Sequence, residues 1–260
     1  MSNSYFDKNV FNKGKAFIPF ITAGYPTLED TKRFVLKMEE AGADLIEIGI
    51  PFSDPIAEGP VIQNASTVAL KNGASLDKIF KMVEDLRKET DIPLVFMTYV
   101  NPVYKTGFDS FFKKCDELNV RGVILPDVPY EEKSEIEEIA KIYDVDVISF
   151  IAPTSNQRIK EIAESSRGFI YVISSLGVTG TRDKITTDFA SIDEVIRQTT
   201  ITKTAIGFGI NTPEQAKEIS KYTDGIIVGS AIIKIIDKYG SNSDDEIYNY
   251  VKKMKEAINS

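Results

Sequence analysis

The sequence contains no histidine and a single cysteine, and each scarcity removes a class of chemistry. Histidine is the commonest general base near neutral pH and, together with cysteine, the usual ligand of zinc. We therefore expect no structural or catalytic metal site, and acid–base chemistry must rely on carboxylates, tyrosines or lysines. Cys115 cannot form a disulfide within the chain, which is typical of proteins from reducing compartments.

Long apolar runs and excess positive charge are also missing. No segment approaches the ~20 consecutive apolar residues of a membrane-spanning helix, and residues 1–16 lack the apolar run of a secretion signal. The formal net charge of −8 disfavours polyanionic partners such as nucleic acids and anionic membranes. We expect a cytoplasmic protein with no nucleic-acid or membrane partner.

What the chain does contain is a repeat of short apolar segments, each followed by a charged segment with helical periodicity. The predicted strands span residues 16–22, 44–50, 93–99, 121–126, 145–151, 168–174, 203–207 and 224–228. The predicted helices span residues 28–41, 76–89, 108–118, 131–142, 156–165, 188–199, 213–221 and 231–239, with two more near 2–12 and 244–258. Gly42 follows the first of these helices as a candidate left-handed C-terminal residue.

Apolar strands that alternate with helices are typical of a parallel sheet covered on both faces. Eight such units in 260 residues, 42% of them hydrophobic, predict an α/β fold, a single (β/α)₈ TIM barrel over residues 1–260 with an extra helix at each end. An open doubly wound sheet is the alternative, since counting units does not separate the two. In a barrel, the active site lies at the carboxyl ends of the strands.

The second predicted strand carries a carboxylate among isoleucines. Because side chains alternate along a strand, the three isoleucines of Leu45–Ile50 face one way and Glu47 faces the other, into the barrel. An unpaired carboxyl group there has a raised pKa, as a general acid working near neutrality requires. The sequence leaves two interpretations open: a catalytic acid, or a structural glutamate paired with an internal arginine or lysine.

The loop after this strand, residues 51–60, carries three prolines, a glycine and a second carboxylate, Glu58. Shaped loops at this end of a barrel commonly carry function, and two carboxylates at one mouth can divide acid and base roles. Taken alone, however, Glu58 fits a solvated loop charge better than a catalytic group.

Glycine-bearing turns follow three late strands, at residues 177–180, 207–210 and 229–231. Glycine lets backbone N–H groups approach an anion closely, and the last turn leads into a helix, whose N-terminus favours phosphate. Barrels commonly bind phosphate after strands seven and eight, so these turns predict a phosphate site. A dinucleotide-binding motif does not fit, because Thr212 stands where its third glycine belongs.

Seven segments resemble the tryptophan synthase α-subunit family, in that family's order and across essentially the whole chain. They are FITAGYP (20–26), EIGIPFSDP (47–55), EGPVIQ (58–63), LPDVP (125–129), GVTG (177–180), GFGI (207–210) and VGSA (228–231). The resemblance implies a carbon–carbon lyase of tryptophan biosynthesis, which cleaves indole-3-glycerol phosphate into indole and glyceraldehyde 3-phosphate in a retro-aldol reaction.

The resemblance also implies roles for individual residues. Glu47 matches the family's catalytic glutamate, which protonates the indole carbon that loses its substituent and assists removal of the adjacent hydroxyl proton. Glu58 stands where the family normally has an aspartate near the indole N–H, the one clear departure from the pattern. Tyr171 matches a tyrosine of the site, although the sequence fits a core aromatic residue equally well.

The remaining matches concern binding. The indole-pocket positions are Phe20, Tyr99, Leu125 and Ile151, and the phosphate positions are Gly180, Gly209, Gly229 and Ser230. Asp127 resembles a loop carboxylate involved in communication with the partner subunit. Thr179 lies in a segment that resembles a mobile lid and is expected to meet Glu58 when the lid closes.

The family works as an α2β2 complex, and the resemblance implies the same partner here. The β subunit carries pyridoxal phosphate and consumes the indole, so we expect no cofactor in this chain. Two alternatives stay open: another phosphate-binding barrel that acts as an isomerase or lyase, and a weakly catalytic activator of a β subunit, which the Glu58 departure makes conceivable.

Overall fold

Eight parallel strands close into a barrel in the computed structural model, which describes residues 4–173, 188–207 and 209–260. The strands are β1 (Ala16–Thr22), β2 (Ile46–Gly49), β3 (Leu94–Met97), β4 (Val120–Ile124), β5 (Asp146–Ile151), β6 (Phe169–Ile173), β7 (Lys203–Gly207) and β8 (Gly225–Val228). Each strand pairs with its neighbours in the sequence, and β8 pairs with β1. The predicted barrel is confirmed, β1 has its predicted bounds, and the open-sheet alternative is wrong.

Within the described residues, twelve α-helices surround the barrel or cover its ends. They are α1 (Tyr5–Asn9), α2 (Leu28–Glu40), α3 (Pro60–Lys71), α4 (Leu76–Leu86), α5 (Val100–Thr106), α6 (Phe108–Glu117), α7 (Lys133–Ile142), α8 (Asn156–Ser165), α9 (Phe189–Thr199), α10 (Pro213–Ile219), α11 (Ser230–Tyr239) and α12 (Asp244–Ile258). Ten correspond to predicted helices, whereas α3 and α5 lie outside the predictions. None of these described helices is long and apolar enough to cross a bilayer.

Local sequence signals fix where several helices begin and end. The side chains of Thr27, Ser155 and Thr212 accept N–H groups of the first helical turn at 3.0–3.3 Å, which satisfies donors that a helix leaves unpaired. Gly42, just past α2, has the predicted left-handed conformation, with φ +102°.

Helix α1 fills the amino end of the barrel. Phe6 is fully buried and its ring centroid lies 5.4 Å from that of Phe169 on β6. On the other side, a Cβ atom on Gly122 of β4 would lie 2.9 Å from the Phe6 ring, so glycine makes room for it. Phe11 reaches Phe169 at 5.9 Å. Because aromatic rings fill this end, the ligand site is expected at the opposite, carboxyl end.

Replacing Phe6 with alanine is expected to lower the free energy of unfolding by about 3–5 kcal/mol, because rigid strands cannot collapse into the cavity. Equilibrium urea denaturation measures the change. Lys8→Ala, exposed on the same helix, is the control and should stay within ~0.5 kcal/mol of the wild type. Equal losses in the two variants would contradict the packing role of Phe6.

The closing helix α12 packs against β1, α2 and α10 through a buried apolar stripe that includes Ile247, Val251 and Met254. Its Lys255 Nζ donates to the Asp44 carboxylate at 2.7 Å, just before β2. The end of the chain is thus tied to the strand that carries Glu47.

Candidate active site

Glu47 points into the barrel, as strand alternation predicts. It pairs in register with Phe20 of β1 and Val95 of β3 and is 1% exposed. Two residues further along β2, a Cβ atom on Gly49 would lie 2.5 Å from the Phe20 ring. Glycine at this position therefore gives the ring the space it occupies beside the carboxyl group.

The Glu47 carboxyl group lacks a countercharge. Among the described residues no lysine or arginine forms an ion pair with it, and its Oε2 atom has no hydrogen-bond partner. Burial, assisted by the nearby charge of Glu58, raises the pKa of Glu47 from its usual 4.5 to about 8. The described residues thus favour the catalytic interpretation over a structural ion pair, because a group that is protonated at pH 7 can act as a general acid.

Glu58 is buried at the same mouth, so its interpretation as a solvated loop charge is wrong. It lies just before Gly59 and helix α3, is 5% exposed, and leaves its Oε2 atom without a partner. Burial raises the pKa of Glu58 to about 7, although a hydrogen bond with Tyr99 acts in the opposite direction. When two neighbouring carboxyl groups have different raised pKa values, one can be protonated while the other is ionised.

Tyr171 of β6 adds a buried hydroxyl group to this interior. Burial and, secondarily, the charge of Glu47 raise its pKa well above the usual value. A Cβ atom on Gly207 of β7 would lie 2.5 Å from its hydroxyl oxygen, so glycine is needed there. The ring of Phe150 lies 4.9 Å from that of Tyr171. The tyrosine is thus both a core aromatic residue and a neighbour of the carboxyl pair.

The four predicted indole-pocket residues all lie at or next to the carboxyl ends of their strands. The Phe20 ring lies between Gly49 and Gly229. A Cβ atom on Gly229 would lie 3.1 Å from Cδ1 of this ring. Tyr99 lies two residues beyond β3, immediately before α5. Leu125 lines an apolar cavity of about 510 Å³, a volume in the range of small-molecule sites.

Ile151 is the last residue of β5, is fully buried and pairs with Val172 of β6. Like Phe20 and Tyr99 it does not line the cavity, whose walls include its neighbour Phe150. Phe150 pairs with the inward-facing Tyr171. Sequence reasoning missed Phe150 and also Met97, which lines the cavity from β3. The alternation of side chains along β3 could have identified Met97. It lies two residues beyond Val95 and therefore on the same face, and Val95 is paired with Glu47.

Asp127 holds the start of a helix. Its two carboxylate oxygens accept the N–H of Val100, the first residue of α5, at 3.0 and 3.1 Å. Burial raises the pKa of Asp127, and this hydrogen bond opposes the rise. The carboxylate therefore fixes α5 directly beside Tyr99.

The predicted phosphate positions after β7 and β8 lie at the same end of the barrel. Gly209 follows β7 with φ +79°, a conformation that favours glycine. Gly229 directly follows β8, and Ser230 is the first residue of the ten-residue helix α11, whose N-terminus attracts anions. The other two predicted residues of this region, Thr179 and Gly180, lie outside the described residues.

No cluster of three or more potential metal-binding side chains occurs in the described parts of the chain. The chemistry at the mouth is that of carboxyl and hydroxyl groups.

These features define a class of protein: a (β/α)₈ barrel whose mouth holds two buried carboxyl groups beside an apolar cavity and glycine-bearing turns. The sequence profile described as "Tryptophan synthase alpha chain" matches residues 6–259. The chain belongs to the tryptophan synthase alpha chain family.

Relatives match it along nearly their whole length. The tryptophan synthase alpha chain of Lacticaseibacillus casei is 46% identical over 252 residues, 97% of this chain and 95% of that protein. The alpha chain of a Thermoanaerobacter species is 46% identical over 246 residues, 94% of each chain.

Solved structures agree with these matches. A chain of Mycobacterium tuberculosis tryptophan synthase superposes with a TM-score of 0.89 at 28% identity and full coverage of both chains. A structure of the Pyrococcus furiosus tryptophan synthase α2β2 complex gives a TM-score of 0.85 at 32% identity, covering 94% of this chain and 99% of that one.

Proposed function

We propose that this chain cleaves indole-3-glycerol phosphate into indole and glyceraldehyde 3-phosphate, as a lyase of tryptophan biosynthesis. The observation that carries the proposal is the Glu47 carboxyl group, buried inside the barrel with a pKa raised to about 8. Membership of the family supports the choice of substrate.

Glu47 acts first as an acid and then as a base. Its proton goes to the indole carbon that bears the glycerol phosphate side chain, and this produces an indolenine cation. The resulting carboxylate accepts the proton of the hydroxyl group on the adjacent side-chain carbon. As that O–H bond breaks, the aldehyde C=O forms, and the electrons of the carbon–carbon bond return to the ring. Glu47 ends protonated, so the step needs no oxidant or reductant.

Glu58 acts as the ionised partner. Its negative charge stabilises the positive charge that develops on the ring nitrogen, and stabilisation of a developing charge accelerates the step. Its arm is one methylene longer than that of aspartate, and the loop before α3 accommodates this length. The phosphate group is held by Gly209, Gly229 and Ser230, where the N-terminus of α11 favours an anion.

The pH dependence follows from these roles. Below a pH of about 7, protonation of Glu58 removes the stabilising charge, so kcat/KM falls. Above about 8, Glu47 loses the proton that it must donate, and kcat/KM falls again. Measuring kcat/KM for indole release against pH should therefore give a narrow bell. A rate that rises steadily through pH 8 would contradict the assignment of Glu47 as the acid.

We also propose that the chain works in an α2β2 complex with a tryptophan synthase β subunit, in the cytoplasm. Solved relatives described as tryptophan synthase complexes support this partner. Pyridoxal phosphate belongs to the β subunit in this proposal, and the chain itself uses no cofactor because proton transfer by carboxyl groups suffices.

The decisive assay offers indole-3-glycerol phosphate to the purified chain, alone and with a β subunit, and quantifies both products. Equal amounts of indole and glyceraldehyde 3-phosphate are expected, with little turnover of the unphosphorylated indole glycerol. Isomerised substrate in place of indole would favour a different barrel enzyme. Full activation of the β subunit without cleavage in either condition would favour a noncatalytic activator.

A further inference from the structure

Tyr99 connects the end of β3 to the loop that carries Glu58. Its side chain is 1% exposed, and its hydroxyl oxygen accepts the N–H of Ala57 at 3.1 Å. Its ring stacks on Phe52, with the centroids 5.0 Å apart and the planes 28° from parallel. One tyrosine therefore holds this loop at two points, near its beginning and immediately before Glu58.

The hydroxyl group has a proton to donate as well. One lone pair of the hydroxyl oxygen accepts the N–H of Ala57. Glu58 is the residue that follows Ala57 in the chain. The hydrogen bond between Tyr99 and the Glu58 carboxyl group lowers the pKa of that group against the effect of burial. On the other side, Gln63 Nε2 of α3 donates to the Glu58 carbonyl oxygen at 2.8 Å.

We infer that Tyr99 is a positioning residue that orients the Glu58 carboxylate for the developing charge on the substrate, an inference that rests on the proposed function. Tyr99 then acts on the developing charge through Glu58. A glutamate has one more rotatable bond than an aspartate, so more orientations have to be excluded. The hydroxyl of Tyr99 supplies that constraint, and Gln63 fixes the backbone from which the Glu58 side chain extends.

A purely structural role is the competing explanation, because a buried aromatic residue also stabilises the fold. Tyr99→Phe separates the two, since it keeps the ring and its stacking on Phe52 and removes only the hydroxyl group. Tyr143→Phe is the matched control: Tyr143 at the end of α7 donates to the Asp109 carboxylate at 2.5 Å on the surface.

Tyr99→Phe is expected to lower kcat about 10- to 100-fold with KM changed by less than about threefold, because the lost constraint matters most when charge develops. Tyr143→Phe should leave both constants unchanged. In a Glu58→Gln background, adding Tyr99→Phe should change kcat less than about twofold, since residues that act as one unit are not additive. Equal losses in the two backgrounds would overturn the inference.

A titration without substrate separates this inference from the proposed function. In ¹³C NMR of carboxyl-labelled glutamate, Tyr99→Phe should raise the titration midpoint of Glu58 and leave that of Glu47 near its wild-type value. An unmoved Glu58 midpoint in a variant that melts like the wild type would overturn the inference while indole release continues. A wild-type chain that releases no indole, with the midpoint shift present, would instead count against the proposed function.

Discussion

Replacing Glu47 with glutamine is expected to reduce kcat for indole release by ~10³-fold or more, because the amide has the shape of the carboxyl group but cannot pass a proton. KM should change little, since binding of the ring and the phosphate group does not require the proton. Steady-state kinetics with indole-3-glycerol phosphate measure both constants. Glu164→Gln, an exposed position on α8, is the control and should behave as the wild type.

Stability gives this variant a second, independent signature. The pKa of Glu47 is raised on folding, so its contribution to stability is fully present below its unfolded value near 4.5 and is lost as the pH rises through about 8. Glu47→Gln removes this loss, so its melting temperature should equal or exceed that of the wild type at pH 9. An inactive variant that is also strongly destabilised at that pH would indicate a structural glutamate.

Replacing Gly207 with alanine is expected to lower kcat by about 100-fold, the scale of effect that a displaced catalytic group produces. The new methyl group would lie 2.5 Å from the Tyr171 hydroxyl oxygen and 2.8 Å from its ring. Tyr171 is enclosed by the barrel, so it can relieve the contact only by moving against its neighbours near Glu47. Steady-state kinetics and a thermal melt of the variant measure the two consequences.

The Tyr171→Phe background tests the steric explanation. Removing the hydroxyl group removes the shortest contact, so adding Gly207→Ala there should cost less activity than adding it to the wild type. The same loss in both backgrounds would show that the alanine acts through the β7 turn and not through Tyr171.

The strand that carries Glu47 could be predicted from the sequence because its information is local. Alternation along Leu45–Ile50 sufficed to place the carboxyl group inside the barrel, and β1 is apolar up to its last residue, Thr22, so its bounds matched residues 16–22. In a strand, the face on which a side chain lies follows from its position along that strand and does not depend on distant parts of the chain.

Helices α3 and α5 escaped prediction for physical reasons. Proline lies in the first turn of each, where a helix tolerates it, but the same residue is typical of loops. The buried face of α3 consists largely of small residues, Ala65, Ser66 and Ala69, which give a weak apolar period. Helix α5 buries only Val103 among its seven residues, too few for a period to appear.

The surroundings of Glu58 depend on contacts that the loop sequence does not contain. Its burial follows from packing against Tyr99, which follows β3 and is distant in the sequence, so composition alone suggested a solvated charge. Cavity walls have the same dependence: Phe150, which pairs with Tyr171 of β6, lines the cavity, and Ile151, which pairs with Val172, does not. Register between strands distant in sequence determines such details.

The most direct test measures the protonation of Glu47 itself. Carboxyl ¹³C NMR of the free chain, with the signal assigned by its loss in Glu47→Gln, follows the ionisation of this one group. A titration midpoint near pH 8 is expected, which leaves the group protonated and ready to donate at neutral pH. A midpoint near the ordinary 4.5 would contradict the account, because Glu47 would then reach the substrate without a proton to give.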